Sequence, residues 1–298
     1  MTLAGLYRQV GDLPLEFLKT HQILAFLNSS GTSSSTWRSK YGTLRLFFEF
    51  WTAHGTMPTL LMPQNAPPTR HPFVPTVYTR REVVDLLRAV HEARKTNIST
   101  IDDETFRTIL FVLYGTGAMT GEVLGLRRQD IDLSKSTIVL GGNRIIQRRE
   151  IPVGADLRDL LRSYLVSRCR LHEPGAYIFV SNHGGPIKPR NAEYRFNLLR
   201  QRVGLSREGG GRTQPSMRDL RSTFAVHRIA SWIRSRANLN RMLPALSAYL
   251  GQVQLMSTER YLSLTPERFR RELNKISPQR SRKHWRDDPA LMKFLASL

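Results

Sequence analysis

Apolar residues recur at three- and four-residue steps along most of this chain, a spacing that predicts amphipathic helices. Over residues 13–53 one apolar face carries Leu15, Phe17, Leu18, Ile23, Phe26 and Leu27. A second carries Trp37, Tyr41, Leu44, Phe47, Phe48 and Trp51, and Gly31-Thr32-Ser33-Ser34-Ser35 breaks between the two. Aromatics at helix period predict a buried seam in preference to base-stacking platforms. Residues 62–76 hold five prolines, a density that stops helices and stiffens an extended connector. Beyond it, Thr79 and Glu82 have the spacing of a capping box ahead of the apolar run Val83-Val84-Leu86-Leu87-Val90. Further helices are predicted over residues 103–114, 120–126, 157–165, 191–203, 220–232, 242–250 and 266–276. The period shortens to two at residues 137–140 and 150–153, which predict short strands flanking Gly141-Gly142-Asn143, with residues 177–180 as a third. The fold class expected is mainly α with a small antiparallel β-sheet, in two domains.

Composition narrows the function. The 298 residues include 45 Lys or Arg against 24 Asp or Glu, a formal charge of +21. The excess is uneven, with residues 1–64 at net +2 and residues 77–298 at net +18. Such a bias points to a polyanionic partner, nucleic acid first and anionic lipid second. A hydrophobic share of 40% excludes wholesale disorder. No apolar run approaches a membrane span, and the start has no basic segment leading into an apolar stretch, so a cytoplasmic protein without membrane integration is expected. Cys169 is the single cysteine, which excludes an internal disulfide or a cysteine zinc cluster. His71, His91, His172, His183 and His227 have no metal-ligand spacing. Gly209-Gly210-Gly211 lacks the Gly-Lys-Ser/Thr ending of a phosphate loop. Neither a metal nor a cofactor is expected.

Two places have residues suited to phosphate chemistry. Residues 212–241 contain seven arginines and one acid, Asp219. Arg218 and Arg221, three apart, can face one side of a helix and clamp a phosphate; the same residues also suit a solvated basic face paired with Asp219. Tyr261 can serve as a covalent nucleophile on phosphorus if cations assist it, since a phenol ordinarily ionises near pH 10. Taken alone, it suits an ordinary half-buried tyrosine equally well. Arg38, Lys40, Arg148, Arg149, Arg212 and Arg228 are the candidate contacts to a nucleic-acid backbone.

The order of these segments resembles the tyrosine recombinases, also called the phage integrase family, and within it the transposon-associated recombinases of multi-recombinase gene sets. The resemblance is carried by Tyr114-Gly115-Thr116-Gly117-Ala118-Met119-Thr120-Gly121-Glu122-Val123-Leu124-Gly125-Leu126, by Arg218-Asp219-Leu220-Arg221-Ser222-Thr223-Phe224-Ala225, and by Leu250-Gly251-Gln252 with Tyr261 nine residues beyond Gln252. It implies a two-domain C-shaped clamp on duplex DNA. The parts would be a helical, SAM-like core-binding domain over residues 1–64, a Pro-rich linker over 65–76, a catalytic-type domain over 77–276 and a basic tail over 277–298. It also implies assembly with like or unlike recombinase subunits on DNA, the tail being suited to docking on a neighbour.

In that family two arginines, a hairpin lysine and two histidine-type positions surround the scissile phosphate while a tyrosine attacks it. By resemblance the nucleophile here is Tyr261 and the second arginine Arg221, both intact. Met119 stands at the first arginine, Arg144 best matches the lysine, and Arg218 and Gln252 occupy the histidine-type positions, so four of six positions depart. A thioether donates no hydrogen bond to a phosphoryl oxygen, and arginine holds its proton too tightly to protonate a leaving group well. Either natural divergence or a substitution introduced to trap a DNA-bound state accounts for Met119; the other three departures favour divergence. The expected function is DNA strand cleavage and rejoining through a 3′-phosphotyrosine, impaired by these departures. The alternatives are an inactive architectural partner of active recombinases and, outside the family, a basic RNA- or membrane-binding helical protein.

Overall fold

The computed structural model describes residues 2–29, 34–57, 62–63, 74–92, 100–141, 148–168, 173–207 and 214–266. The expected helix over 266–276, the basic tail and most of the Pro-rich linker lie outside the described residues. The chain forms two compact units, Met1–Val74 and Pro75–Leu298.

The first unit is helical: α1 (Thr2–Val10), a 3-10 turn at Leu15–Phe17, α2 (Thr20–Leu27) and α3 (Ser34–Ala53). The seam expected on α3 is apolar core. Trp37, Leu44 and Phe48 are buried with Leu6, Leu18, Ile23, Phe26, Leu27 and Met57, while Tyr41, Phe47 and Trp51 pack around them half-covered. Trp37 stacks on Tyr41 at 5.1 Å and donates its indole N–H to Asn28 Oδ1 at 2.9 Å, which removes the cost of burying a polar nitrogen. α1 was not legible in the periodicity, since Leu6 is its one buried residue among those described.

The second unit comprises α4 (Arg80–Glu92), α5 (Asp103–Thr116), α6 (Thr120–Leu124), β1 (Ile131–Asp132), β2 (Thr137–Leu140), β3 (Arg149–Pro152), α7 (Ala155–Ser167), α8 (Pro189–Arg202), α9 (Asp219–Arg234), α10 (Leu239–Leu250) and α11 (Met256–Ser263). The strands form one antiparallel sheet in the order β1-β2-β3, with Ile138 opposite Ile131 on one side and Ile151 on the other. Residues 177–180, expected as the third strand, make only single bridges, Tyr177 to Arg127 and Val180 to Pro186. The third strand is instead the two-residue β1, too short to show an alternating pattern.

Local chemistry sets the helix starts. Thr79 and Glu82 form the expected reciprocal box, Thr79 N–H to Glu82 Oε2 at 2.6 Å and Glu82 N–H to Thr79 Oγ1 at 3.2 Å. Asp102 caps α5 by accepting from Thr105 N–H at 2.9 Å.

A large core joins α4, α5, α7, α8 and the sheet, and a smaller one joins α9, α10 and α11 through Phe224, Ile229, Leu243, Leu246, Leu250 and Tyr261. The segment before α4 is laced onto α9: Thr76 N–H reaches Asp219 Oδ1 at 3.3 Å and Tyr78 N–H reaches Thr223 Oγ1 at 3.0 Å. These bonds, between residues some 140 apart in sequence, hold α9 at the centre of the unit.

Candidate active site

α9 is buried all round its first two turns, Asp219 to Val226, so Arg221 is buried with it. Arg221 is 8% exposed, and its guanidinium is fixed by two carbonyls, Nη1 to Gly117 O and Nη2 to Leu250 O, each at 2.9 Å. Gly117 ends α5 at φ 63°, and a Cβ there would overlap the Phe224 ring and stand 2.9 Å from Leu250 Cδ2. The bare αL glycine therefore lets α5, α9 and α10 approach closely enough for one side chain to bridge them. Burial pushes the Arg221 guanidinium below its ordinary value, while its interactions with nearby Tyr261 and Glu122 pull it back up. The group remains a cation, held near the phenol that the sequence singled out.

Tyr261 lies on the inward face of α11, 6% exposed. Gln252 Nε2 stands 3.5 Å from its hydroxyl. Gln252 is itself anchored: its N–H donates to Ser247 O at 2.9 Å, its carbonyl accepts from Ser247 Oγ at 3.1 Å, and its Oε1 accepts from the Thr258 hydroxyl. Thr258 is fully buried and three residues before Tyr261, so the two share one helix face. Gln252 and Tyr261 are thus in contact, with Arg221 close enough to interact electrostatically with Tyr261.

Met119 is 41% exposed at the N-cap of α6, and its backbone N–H donates to Glu122 Oε2 at 2.8 Å. Glu122 also grips Arg149, Nη1 to Oε1 at 2.6 Å and Nη2 to Oε2 at 3.2 Å, with side chains 4% and 12% exposed respectively. Arg149 Nε donates to Tyr249 O at 2.9 Å. A Cβ on Gly251, at φ 67°, would lie 2.8 Å from the Arg149 guanidinium carbon. Two guanidiniums therefore flank the Tyr249-Leu250-Gly251 turn: Arg149 holds its first carbonyl and Arg221 its second. Tyr249 completes the link between β3 and α10, donating to Pro152 O at 3.2 Å and stacking on Phe224 at 5.7 Å; burial pushes its phenol up to about 12.

Sequence reasoning missed Glu122 and Thr258. The one signal for Glu122 was its place three residues after the N-cap, the position from which an acid reaches back to a helix start.

The other predicted residues are dispersed. Arg218 is exposed at the N-cap of α9, and its charge is felt by Glu193 of α8. Arg148 is exposed and pairs with Asp130 at 3.1 Å. Arg228 is exposed on α9, over the Phe224 ring at 5.6 Å. In the first unit Arg38 is half-exposed on α3. Lys40 donates to Phe26 O at 3.3 Å and Ser29 Oγ at 3.2 Å, lying over the Phe26 ring at 4.4 Å, where its charge suits the C-terminus of α2. Arg144 and Arg212 lie outside the described residues. Among the described residues no group of three or more His, Cys, Asp or Glu could hold a metal ion, and no helix is long and apolar enough to cross a membrane.

The profile of the Phage integrase family matches residues 77–268. The chain is 27% identical over 264 residues to y4rB of Sinorhizobium fredii, an integrase/recombinase by name, covering 87% of this chain and 82% of that protein. It is 27% identical over 258 residues to the tyrosine recombinase XerC of Staphylococcus saprophyticus, covering 86% and 80%. Among solved structures, the Tn1549 transposon integrase in complex with a circular intermediate DNA aligns with a TM-score of 0.64 at 15% identity, covering 93% of this chain and 91% of that one. A lambda integrase dimer bound to a core site aligns at 0.59 and 19% identity, covering 85% and 86%. At these identities the structural likeness is one of fold.

Proposed function

The chain belongs to the phage integrase family, and on that basis we propose that it is a DNA-binding tyrosine recombinase-like protein of a mobile element, acting on duplex DNA at the nucleoid together with like or unlike recombinase subunits. The observation that carries this reading is the buried Arg221 guanidinium, fixed on the Gly117 and Leu250 carbonyls and electrostatically coupled to Tyr261. A guanidinium there offers donors to a non-bridging phosphate oxygen, where charge builds as the phenol attacks.

The reaction balances without metal or nucleotide. Tyr261 Oη forms a bond to phosphorus as the bond from phosphorus to the 5′-oxygen breaks; the phenol loses its proton and the 5′-oxygen gains one. A 5′-hydroxyl of a partner strand then attacks the phosphotyrosine, releasing Tyr261 and restoring its proton. Arg221 offsets the charge on the phosphoryl oxygens, the Gln252 amide adds a neutral donor, and Arg218 and Arg144 add positive field. Met119 offers no donor where a second guanidinium would clamp the phosphate. One such donor contributes about 3–4 kcal/mol in a well-studied hydrolase, so turnover is slow relative to a site with arginine there. Replacing Tyr261 with Phe is expected to abolish covalent adduct on a nicked duplex that traps the intermediate. Unchanged adduct yield would remove Tyr261 from the mechanism.

Met119 also favours a second reading, in which the protein is an inactive architectural partner of active recombinases on shared DNA. It predicts duplex binding that weakens steeply with salt and no adduct from the purified chain.

A further inference from the structure

The Gln252 side chain touches the phenol with its nitrogen, yet a glutamine amide can turn over and present its oxygen instead. The two orientations have opposite consequences. An NH2 group facing Tyr261 supports negative charge on Oη or on a phosphate oxygen beside it, whereas a carbonyl oxygen repels both. The backbone of Gln252 is clamped at both polar atoms by Ser247, so the position of its side chain is set by what its far end meets. Two groups stand there: the Thr258 hydroxyl on Oε1 and the Tyr261 hydroxyl 3.5 Å from Nε2. Thr258, fully buried on α11, supplies the donor that Oε1 needs when the NH2 group faces the phenol.

We propose that Thr258 is a positioning residue of this site: its hydroxyl holds the Gln252 amide with the NH2 group toward Tyr261, converting a residue that departs from a histidine-type position into a fixed hydrogen-bond donor at the reacting oxygen. The inference rests on the recombinase reading for its purpose, but its geometry can be tested without DNA. A valine matches threonine in shape and lacks the donor, while a serine keeps it.

The full-length protein labelled with side-chain 15N-glutamine, the Gln252 signal being assigned by its loss in Gln252→Leu, is expected to show a nuclear Overhauser contact from the Gln252 NH2 protons to the Tyr261 ring. The contact is retained in Thr258→Ser and lost in Thr258→Val, with thermal melting recorded for each; Thr258→Ala serves in place of valine if that variant fails to fold. Persistence of the contact without the hydroxyl, or its absence from the parent, overturns the proposal. Adduct formation on nicked duplex, measured in parallel, is expected to fall about a hundredfold in Thr258→Val relative to Thr258→Ser, the low end of what one transition-state donor contributes, with unchanged duplex affinity; equal rates also overturn it. No adduct from any variant would count against the recombinase reading and leave the magnetic-resonance result to decide this one.

Discussion

Removing the carboxylate of Glu122 tests the electrostatics of the site. In Glu122→Leu, Arg149 keeps its Tyr249 carbonyl but loses both charge-assisted bonds, at 2.6 and 3.2 Å, in a place where its side chain is 12% exposed. The charge cannot be shed by losing a proton, and Arg221, already depressed by burial, feels Arg149 as a like charge. Breaking a buried pair by removing one partner costs about 3–5 kcal/mol, and the Met119 amide loses its cap acceptor for about 1 more. The double variant Glu122→Leu/Arg149→Met removes the stranded charge as well and is expected to recover most of that loss, since apolar replacement of a buried pair is often close to neutral. Hydrogen exchange of the α9 and α10 amides reads this unit without interference from the other. At about 1.4 kcal/mol per decade, the single variant raises the opening constant by roughly three to four decades, and the double by far less. A single variant within about 1 kcal/mol of the parent, below the cost of stranding a buried charge, would refute the argument that Glu122 holds a desolvated guanidinium in place.

Two glycines four residues apart make a matched pair. Gly117→Ala combines φ 63° with overlap on Phe224 and Leu250 and is expected to lose about 2–4 kcal/mol from αL strain and overpacking, whereas Gly121→Ala meets open space on α6 and is expected to be neutral or up to about 1 kcal/mol stabilising; urea unfolding of the two variants distinguishes them. Although desolvation alone would raise it, hydrogen bonds from Thr105 and the guanidinium of Arg168 hold the Asp102 carboxyl below the usual range. Its folded value being depressed, the stability it adds is present above the unfolded value near 4 and is lost as pH falls through the folded one. The gap between parent and Asp102→Ala is therefore expected to be about 1 kcal/mol at neutral pH and to close below about pH 4, as followed by unfolding at stepped pH.

What could be read from the sequence was whatever has a local cause. The seam of α3 repeats at helical period, and the Thr79-Glu82 box spans only four residues. Arg221 and Tyr261 were singled out because motif order carried them. Contacts made across the fold left no such trace. Glu122 gives no sign in its own neighbourhood of the partner it finds at Arg149, 27 residues onward on β3, and Arg149 read as one of several basic residues near a hairpin. The apolar run at residues 177–180 imitates a strand because burial, not pairing, selected it: Ile178 and Phe179 are core residues, and Tyr177 lies under the Arg127 guanidinium at 4.5 Å. Thr258 was an ordinary helix residue until Gln252 was placed beside it.

The central claim is that Arg221 and Tyr261 form a working attack geometry that lacks one guanidinium at position 119. Adduct formation on a nicked duplex, compared between the parent, Met119→Arg and Met119→Arg/Tyr261→Phe, tests it most directly. The account predicts that Met119→Arg gains about a hundredfold or more in rate, the contribution of one restored transition-state donor, and that the double variant forms no adduct. Equal rates for the parent and Met119→Arg, or adduct from the protein with phenylalanine at 261, would contradict it.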